Sequence, residues 1–251
     1  MELIILGSGA SAPSRKAAEV RNPAGYAVRL GSGAVLLDIG FGSVRQLARA
    51  GIDPSEVTDV LISHRHPDHI GDLAALLFCL HYDRKPRKGT LRLFGPAGLK
   101  AFVESLRQTH SPWLEPKGYR LEVHELQEGQ GAAGPDWRAE TIESIHNTPA
   151  LCYRLESAEK VLVYSGDTGV NPKLAEFSKK CDLLLLECTL GDGDKYSWHL
   201  NVSQALELAS ESRARRVLLT HVSTESLASL KPRLKKLAQV SVAEDLQRCK
   251  I

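Results

Sequence analysis

The sequence has no stretch approaching the ~20 consecutive apolar residues that a membrane-crossing helix needs, so a helical membrane protein is not expected. Its opening, MELIILG, has neither a basic flank nor a small-residue cleavage site, and reads as a first strand rather than a secretory signal. A dominant charge is also missing. The formal net charge is +2 with nine histidines, which sets up no global field for nucleic acid or membrane, and any polyanion would have to be held by a local patch. The five cysteines, Cys79, Cys152, Cys181, Cys188 and Cys249, are odd in number and show no C-x-x-C spacing, which argues against a disulfide framework. Their apolar surroundings suit buried free thiols, and a cytoplasmic location is expected. There is no fixed-period repeat, no low-complexity tract and no long linker.

What is present is globular: 43% apolar and 25% charged residues over 251 positions, a length at which one sheet-rich domain spanning 1–251 is ordinary. Short β-type runs recur at 3–6, 26–30, 34–38, 60–63, 91–94, 120–124, 141–145, 161–164, 183–186 and 217–220. Helical periodicity lies between them at 43–49, 73–82, 98–108, 172–179 and 202–212, with a further helix over 227–237 interrupted near Pro232. Asn201 followed by Gln204 reads as a capping box that starts the fifth of these helices. Turn residues are dense at 127–136, the one internal seam. Interleaved strands and helices in both halves predict an α/β (α+β) fold of two mixed sheets packed together, with helices on the outer faces.

The chemistry concentrates where strands end. Residues 62–73 read ISHRHPDHIGDL, which puts His64, His66, Asp68 and His69 on one tight loop. Three further apolar runs close on His146, Asp167 and His221. In sheet proteins, ligands gather at the carboxyl ends of strands, so residues remote in sequence can meet there. A lone histidine at a strand end is ordinarily a hydrogen-bonded core or surface residue, but a set this dense would cost several kcal/mol if buried and unpaired. Five histidines and two aspartates suit two divalent ions, zinc first, with manganese or iron as alternatives, better than calcium or magnesium.

These motifs, H-x-H-x-D-H, then His146, then Ser165 to Thr168 (SGDT), then Thr220 to Ser223 (THVS), resemble the metallo-β-lactamase superfamily over nearly the whole chain. The resemblance implies an αββα sandwich in which His64, His66 and His146 bind one zinc, Asp68, His69 and His221 bind the other, and Asp167 bridges. True β-lactamases of this fold commonly carry a cysteine where Asp167 stands, so that activity is set aside. LGSGASAPS after the first strand, DIGFGSVRQL after the third, and the pair Glu187 and His199 resemble the ribonuclease Z-like branch. That likeness implies a phosphodiesterase or nuclease in which a metal-bridging hydroxide attacks phosphorus, His199 approaches the scissile phosphate, Glu187 orients it, and Asp68 accepts the water's proton. A carboxylate-held imidazole suits protonation of a leaving oxygen near neutral pH.

Only about twenty residues separate His146 from Asp167, which leaves no room for the long flexible arm with which tRNA-processing members grip tRNA. The expected substrate is therefore a small phosphodiester or a short, single-stranded nucleic acid. A thioester, lactone or sulfate-ester hydrolase on the same scaffold is the alternative, and a non-catalytic metal-site sensor the third reading. DRKPRK at 83–88 is read as a solvated loop, with contact to a phosphate backbone as its other reading. The run LAALLFCL at 73–80 is apolar nearly all round, and together with the family's habit of pairing near this helix it points to a homodimer.

Overall fold

Alternating burial along the strands sorts side chains into three separate cores. The computed structural model describes residues 1–10, 20–83, 87–194, 196–235 and 237–251. In β1 (Glu2–Gly7), Leu3 and Ile5 face one cluster while Ile4 and Leu6 face another, as the two-residue period of a strand buried on both faces requires. Leu183 and Leu185 of β11 (Leu183–Glu187) join the cluster of Leu3, and Leu184 and Leu186 a third. The first cluster lies between two sheets and the other two lie beneath helices.

The first sheet has the order β14 (Arg248–Lys250), β1, β2 (Gly25–Leu30), β3 (Gly33–Ile39), β4 (Val57–Leu61), β5 (Thr90–Gly95) and β6 (Arg120–Glu125). The second has β13 (Val240–Val242), β12 (Val217–Thr220), β11, β10 (Lys160–Tyr164), β9 (Leu151–Ser157), β8 (Arg138–Glu143) and β7 (Gly131–Ala133). Each is mixed on the same plan. From β14 or from β7, antiparallel pairings come first and parallel ones follow, from β3 or β10 onward. The turn-rich seam at 127–136 is where the chain passes from the edge of one sheet to the edge of the other.

Helices α1 (Ser43–Arg49), α2 (Pro67–Ile70), α3 (Leu73–Tyr82) and α4 (Leu99–Thr109) belong to the first half. Residues of α1, α3 and α4 pack in the cluster of Ile4. Helices α5 (Leu174–Phe177), α6 (Val202–Ser212) and α7 (Thr224–Leu234) cover the other side. The layers are therefore helix, sheet, sheet, helix. Asn201 and Gln204 form the reciprocal capping box at the start of α6. The last helix differs from expectation: Ser223 caps it, so it begins at Thr224, and it runs through Pro232 to Leu234. The helix expected at 172–179 is a single turn. The strand expected at 141–145 ends at Glu143, which leaves Ile145 and His146 on the loop that follows.

Sequence patterning missed β7, β9, β13 and β14. Three of these are three-residue edge strands, too short to display a period. β9 alternates as expected, with Leu151, Tyr153 and Leu155 turned to the inter-sheet core, but its other face mixes Cys152 with Arg154 and Glu156, which hides the pattern.

Candidate metal centre

Parallel strands present their carboxyl ends at one edge of the sandwich, and the two sheets are fastened to each other there by buried polar contacts. Tyr153 donates to the Ile62 carbonyl at 2.8 Å, Leu151 N–H to the Ser63 carbonyl at 2.9 Å, and the Tyr26 and Thr220 hydroxyls lie 2.8 Å apart. Two glycines permit close packing at this edge, Gly40 against the ligand loop of its own half and Gly166 across the sheets. A Cβ on Gly40 would fall 2.0 Å from the Asp68 carbonyl, and one on Gly166 would meet Ser63 Cβ at 2.8 Å.

The loop after β4 and the ends of β8, β10 and β12 bring two groups together. His64, His66, His146 and Asp167 form one, and Asp68, His69 and His221 the other; within each, one ligating atom per residue lies within 4.8 Å of the rest. Every residue expected at the metals is in one of the two. His64 Nε2 stands 3.0 Å from His66 Nδ1, which stands 3.2 Å from His146 Nε2. His221 Nε2 is 3.3 Å from His69 Nε2 and 3.3 Å from Asp68 Oδ2. Asp167 lies between the groups, with Oδ2 at 3.7 Å from His64 Nε2 and 3.3 Å from His69 Nε2, and Oδ1 at 3.6 Å from His221 Nε2.

The hydrogen-bond partners decide what these nitrogens offer. His146 Nδ1 gives its hydrogen to the Trp198 carbonyl at 3.0 Å, and His69 Nδ1 faces Asp38 Oδ2 at 2.7 Å. Each ring therefore holds its hydrogen on Nδ1 and turns the lone pair of Nε2 into the cluster. Lone pairs from several rings converging at about 3 Å repel unless a cation lies among them. Asp167 Oδ1 is buried and accepts no hydrogen bond, which also fits a cation. The donor set of imidazole and carboxylate suits a borderline divalent ion.

The electrostatics agree. Burial holds His64, His66 and His146 below the ordinary imidazole range, and so neutral and able to ligate. Burial would also lower His69, but the charges of Asp167 and Asp38 outweigh it and raise its pKa, the pull of a site that favours a cation, proton or metal, at Nε2. Burial works against ionisation of Asp167 and Asp68 as well. His221 and His69 overcome it for both, so both carboxyls lie below the usual range, Asp167 well below it.

Glu187, at the end of β11, is buried, and its Oε1 accepts from Thr168 N–H at 2.8 Å and from His199 Nδ1 at 2.9 Å. His199 Nδ1 is also 3.8 Å from Asp167 Oδ2, and its ring stacks on His221 at 5.7 Å between centroids. Burial would lower the His199 pKa, but the hydrogen bond and charge of Glu187, with Asp167, hold it above the ordinary value.

Sequence reasoning assigned no role to Asp38. It is fully buried at the end of β3, in a left-handed backbone conformation (φ 55°), and accepts from Ser63 N–H, Ser63 Oγ, His69 Nδ1 and Tyr164 OH at 2.6 to 2.7 Å. Its signal was the D-I-G that closes a strand. Within DRKPRK, 84–86 lie outside the described residues. Arg87 is buried and donates to the carbonyls of Ser55, Val57 and Thr90, so it braces the backbone rather than waiting for phosphate.

Among curated relatives, the ribonuclease Z of Pyrococcus furiosus is 29% identical, across 88% of this chain and 86% of the relative. That alignment spans 273 positions, so about fifty of them have no residue in this 251-residue chain. Among solved structures, the metallo-beta-lactamase fold protein YhfI from Bacillus subtilis superposes with a TM-score of 0.84 at 21% identity, covering 99% of this chain and 98% of its own. The short form of human tRNase Z does so with a TM-score of 0.81 at 22% identity, covering 100% and 99%. The fold is thus that of the metallo-β-lactamases, and residues 34–222, from β3 to the residue after His221, match the beta-lactamase superfamily domain, the family to which this chain belongs.

Proposed function

We propose that this chain is a metal-dependent phosphodiesterase of the ribonuclease Z type, working as one domain over 1–251 on a small or single-stranded phosphodiester. The observation that carries the reading is the buried Glu187 holding His199 at 2.9 Å, on the rim of two ligand groups, with Asp167 in the first and 3.3 Å from His69 of the second. His64, His66 and His146 would hold one divalent ion, Asp68, His69 and His221 the other, and Asp167 would touch both. Zinc is the preferred ion, with manganese or iron as alternatives. Bound there, two such ions supply water that is nucleophilic at neutral pH and positive charge against the phosphate oxygens.

The protein's own groups do the rest. Asp68 would take the proton of the attacking water while serving as a ligand to its ion. His199, its Nδ1 held by Glu187, keeps Nε2 for the leaving oxygen, and the Glu187 carboxylate raises its pKa, which favours the form that donates there. Water adds to phosphorus, the P–O bond to the leaving group breaks, and that oxygen departs with the proton of His199.

Residues 147–166 contain only the hairpin of β9 and β10, turned through Ala158 and Glu159, so no arm projects from this segment. Beside His146 opens a cleft of about 510 Å³ lined by residues such as Gln127, Asn147, Thr148 and Leu151, with no lysine or arginine in its wall. Its size suits a nucleotide-sized group, and a wall whose one acidic residue, Glu143, has no basic counterpart disfavours a folded polyanion. Five free cysteines support a reducing cytoplasm, and no helix among the described residues is long and apolar enough to cross a membrane. Phe78 and Tyr82, 48% and 53% exposed on the outer side of α3, are the face through which a homodimer would form.

The test is hydrolysis of a dinucleotide and of bis(p-nitrophenyl) phosphate by zinc- or manganese-loaded protein, with His199→Ala alongside. The variant should keep both ions and lose about 10² to 10⁴ in rate on the dinucleotide, the scale of a lost acid. It should lose far less on the nitrophenyl ester, whose leaving group departs without a proton. No turnover of either ester with two ions bound would turn the reading to thioesters, lactones or sulfate esters.

A further inference from the structure

Two carboxylates outside the ligand groups, Asp38 and Glu187, each hold one imidazole directly: Asp38 holds His69 and Glu187 holds His199. Each also reaches a second imidazole through a hydroxyl. Thr189 Oγ1 lies 2.8 Å from Glu187 Oε2 and 2.8 Å from His221 Nδ1. Ser63 Oγ lies 2.6 Å from Asp38 Oδ2 and 3.0 Å from His64 Nδ1.

A hydroxyl has one hydrogen to give. For Thr189 the competing acceptor is the His221 carbonyl at 3.1 Å, and the nearer, charged Glu187 takes the hydrogen. The hydroxyl oxygen is then left to accept, and the donor 2.8 Å away is His221 Nδ1–H. The same count at Ser63 sends its hydrogen to Asp38 and makes it an acceptor for His64 Nδ1–H. In both rings the hydrogen is thereby fixed on Nδ1, and Nε2, the atom facing the cluster, carries the lone pair. His221 has particular need of such a hold, because its backbone lies in the left-handed region (φ 52°).

We propose that Thr189 and Ser63 are positioning residues, hydroxyl relays through which Glu187 and Asp38 set the ring tautomer of one histidine in each metal group. Glu187 thus serves two rings at once, His199 directly and His221 by way of Thr189. The inference rests on the metal reading above, and its test separates the two.

Zinc-loaded full-length protein is titrated with a chromophoric chelator, while the downfield imidazole N–H resonances are followed by NMR. Thr189→Val should weaken one of the two zinc ions about 10- to 100-fold, the usual cost of losing a partner behind a ligand. The His221 Nδ1–H signal should broaden or vanish, while those of His69 and His146, held by Asp38 and the Trp198 carbonyl, persist. Ser63→Ala should do the same to the His64 signal and to the other ion, and Thr189→Ser should restore the parent behaviour.

Unchanged affinities with an intact His221 signal would overturn the relay. So would loss of every ring N–H together with equal weakening of both ions, since that is general loosening. If Thr189→Val fails to fold, Ser63→Ala carries the same test at the other group. Failure of the parent protein to bind zinc would sink the metal reading itself, and would be seen before any variant is compared.

Discussion

The two halves of this molecule are built on one plan and donate to the centre in different ways. β3, β4 and β5 of the first sheet correspond in order and pairing to β10, β11 and β12 of the second. The first half spends one loop, after β4, on four candidate ligands, with Asp38 behind them at the end of β3. The second half gives single residues from separate ends: His146 after β8, Asp167 after β10, Glu187 at β11 and His221 after β12. A local cluster is held by its own turn and helix α2, whereas scattered donors hold their geometry only if both sheets are in register. The polar contacts between the sheets at this edge serve that need.

The comparison breaks most completely at Asp167, the residue that lies between the two ligand groups. Asp167→Ala should leave fewer than two ions per chain by elemental analysis and lower the phosphodiesterase rate by roughly 10³-fold or more, the scale of several kcal/mol of lost charge stabilisation. Full activity with two ions bound would remove it from the bridging position.

Glu187→Gln should have a smaller and pH-dependent effect. Burial lowers the His199 pKa and the Glu187 carboxylate raises it, so removing the charge moves that pKa down. The protonated acid is then lost at a lower pH. The alkaline limb of kcat should shift toward acid, with a loss of about tenfold near neutrality that grows at higher pH. An unmoved limb would separate Glu187 from the proton donor.

The smallest effect on activity belongs to the first half. Arg87→Met strips a charged donor from three carbonyls and should cost about 2 to 3 kcal/mol of stability, or roughly 4 to 12 °C in Tm. kcat/KM should stay within twofold for a dinucleotide, and a large rise in KM instead would return Arg87 to the substrate.

Legibility followed the same division. The loop of His64, His66, Asp68 and His69 was readable because the density of donors is itself local. His146, Asp167 and His221 were readable singly only as strand endings, and His146 turned out to stand three residues beyond its strand. Asp38 was invisible as a functional group, since three of its four contacts come from Ser63 and His69, two dozen or more residues away, and the fourth from Tyr164 in the other sheet. Thr189 was missed for the same reason: a threonine two residues after Glu187 carries no meaning until β11 and β12 are side by side. The layer architecture followed from interleaved periodicities, and the short edge strands did not, because three residues cannot express a period.

The contacts that join the sheets differ at the two ends of the sandwich. At the end that holds the histidines they are buried: Tyr26 with Thr220, Tyr153 with the Ile62 carbonyl, Tyr164 with Asp38. At the far end they are solvent-exposed, Ser32 with Asp136 and Arg92 with the Ala133 carbonyl. Exposed hydrogen bonds open at little cost and buried ones only with the core. Thermal breathing of this protein should therefore start at the end remote from the chemistry and die out toward it, as a book opens from its fore-edge while the spine stays shut. Hydrogen exchange would then be fast around Ser32 and Asp136 and slowest at the amides of Ser63 and Leu151.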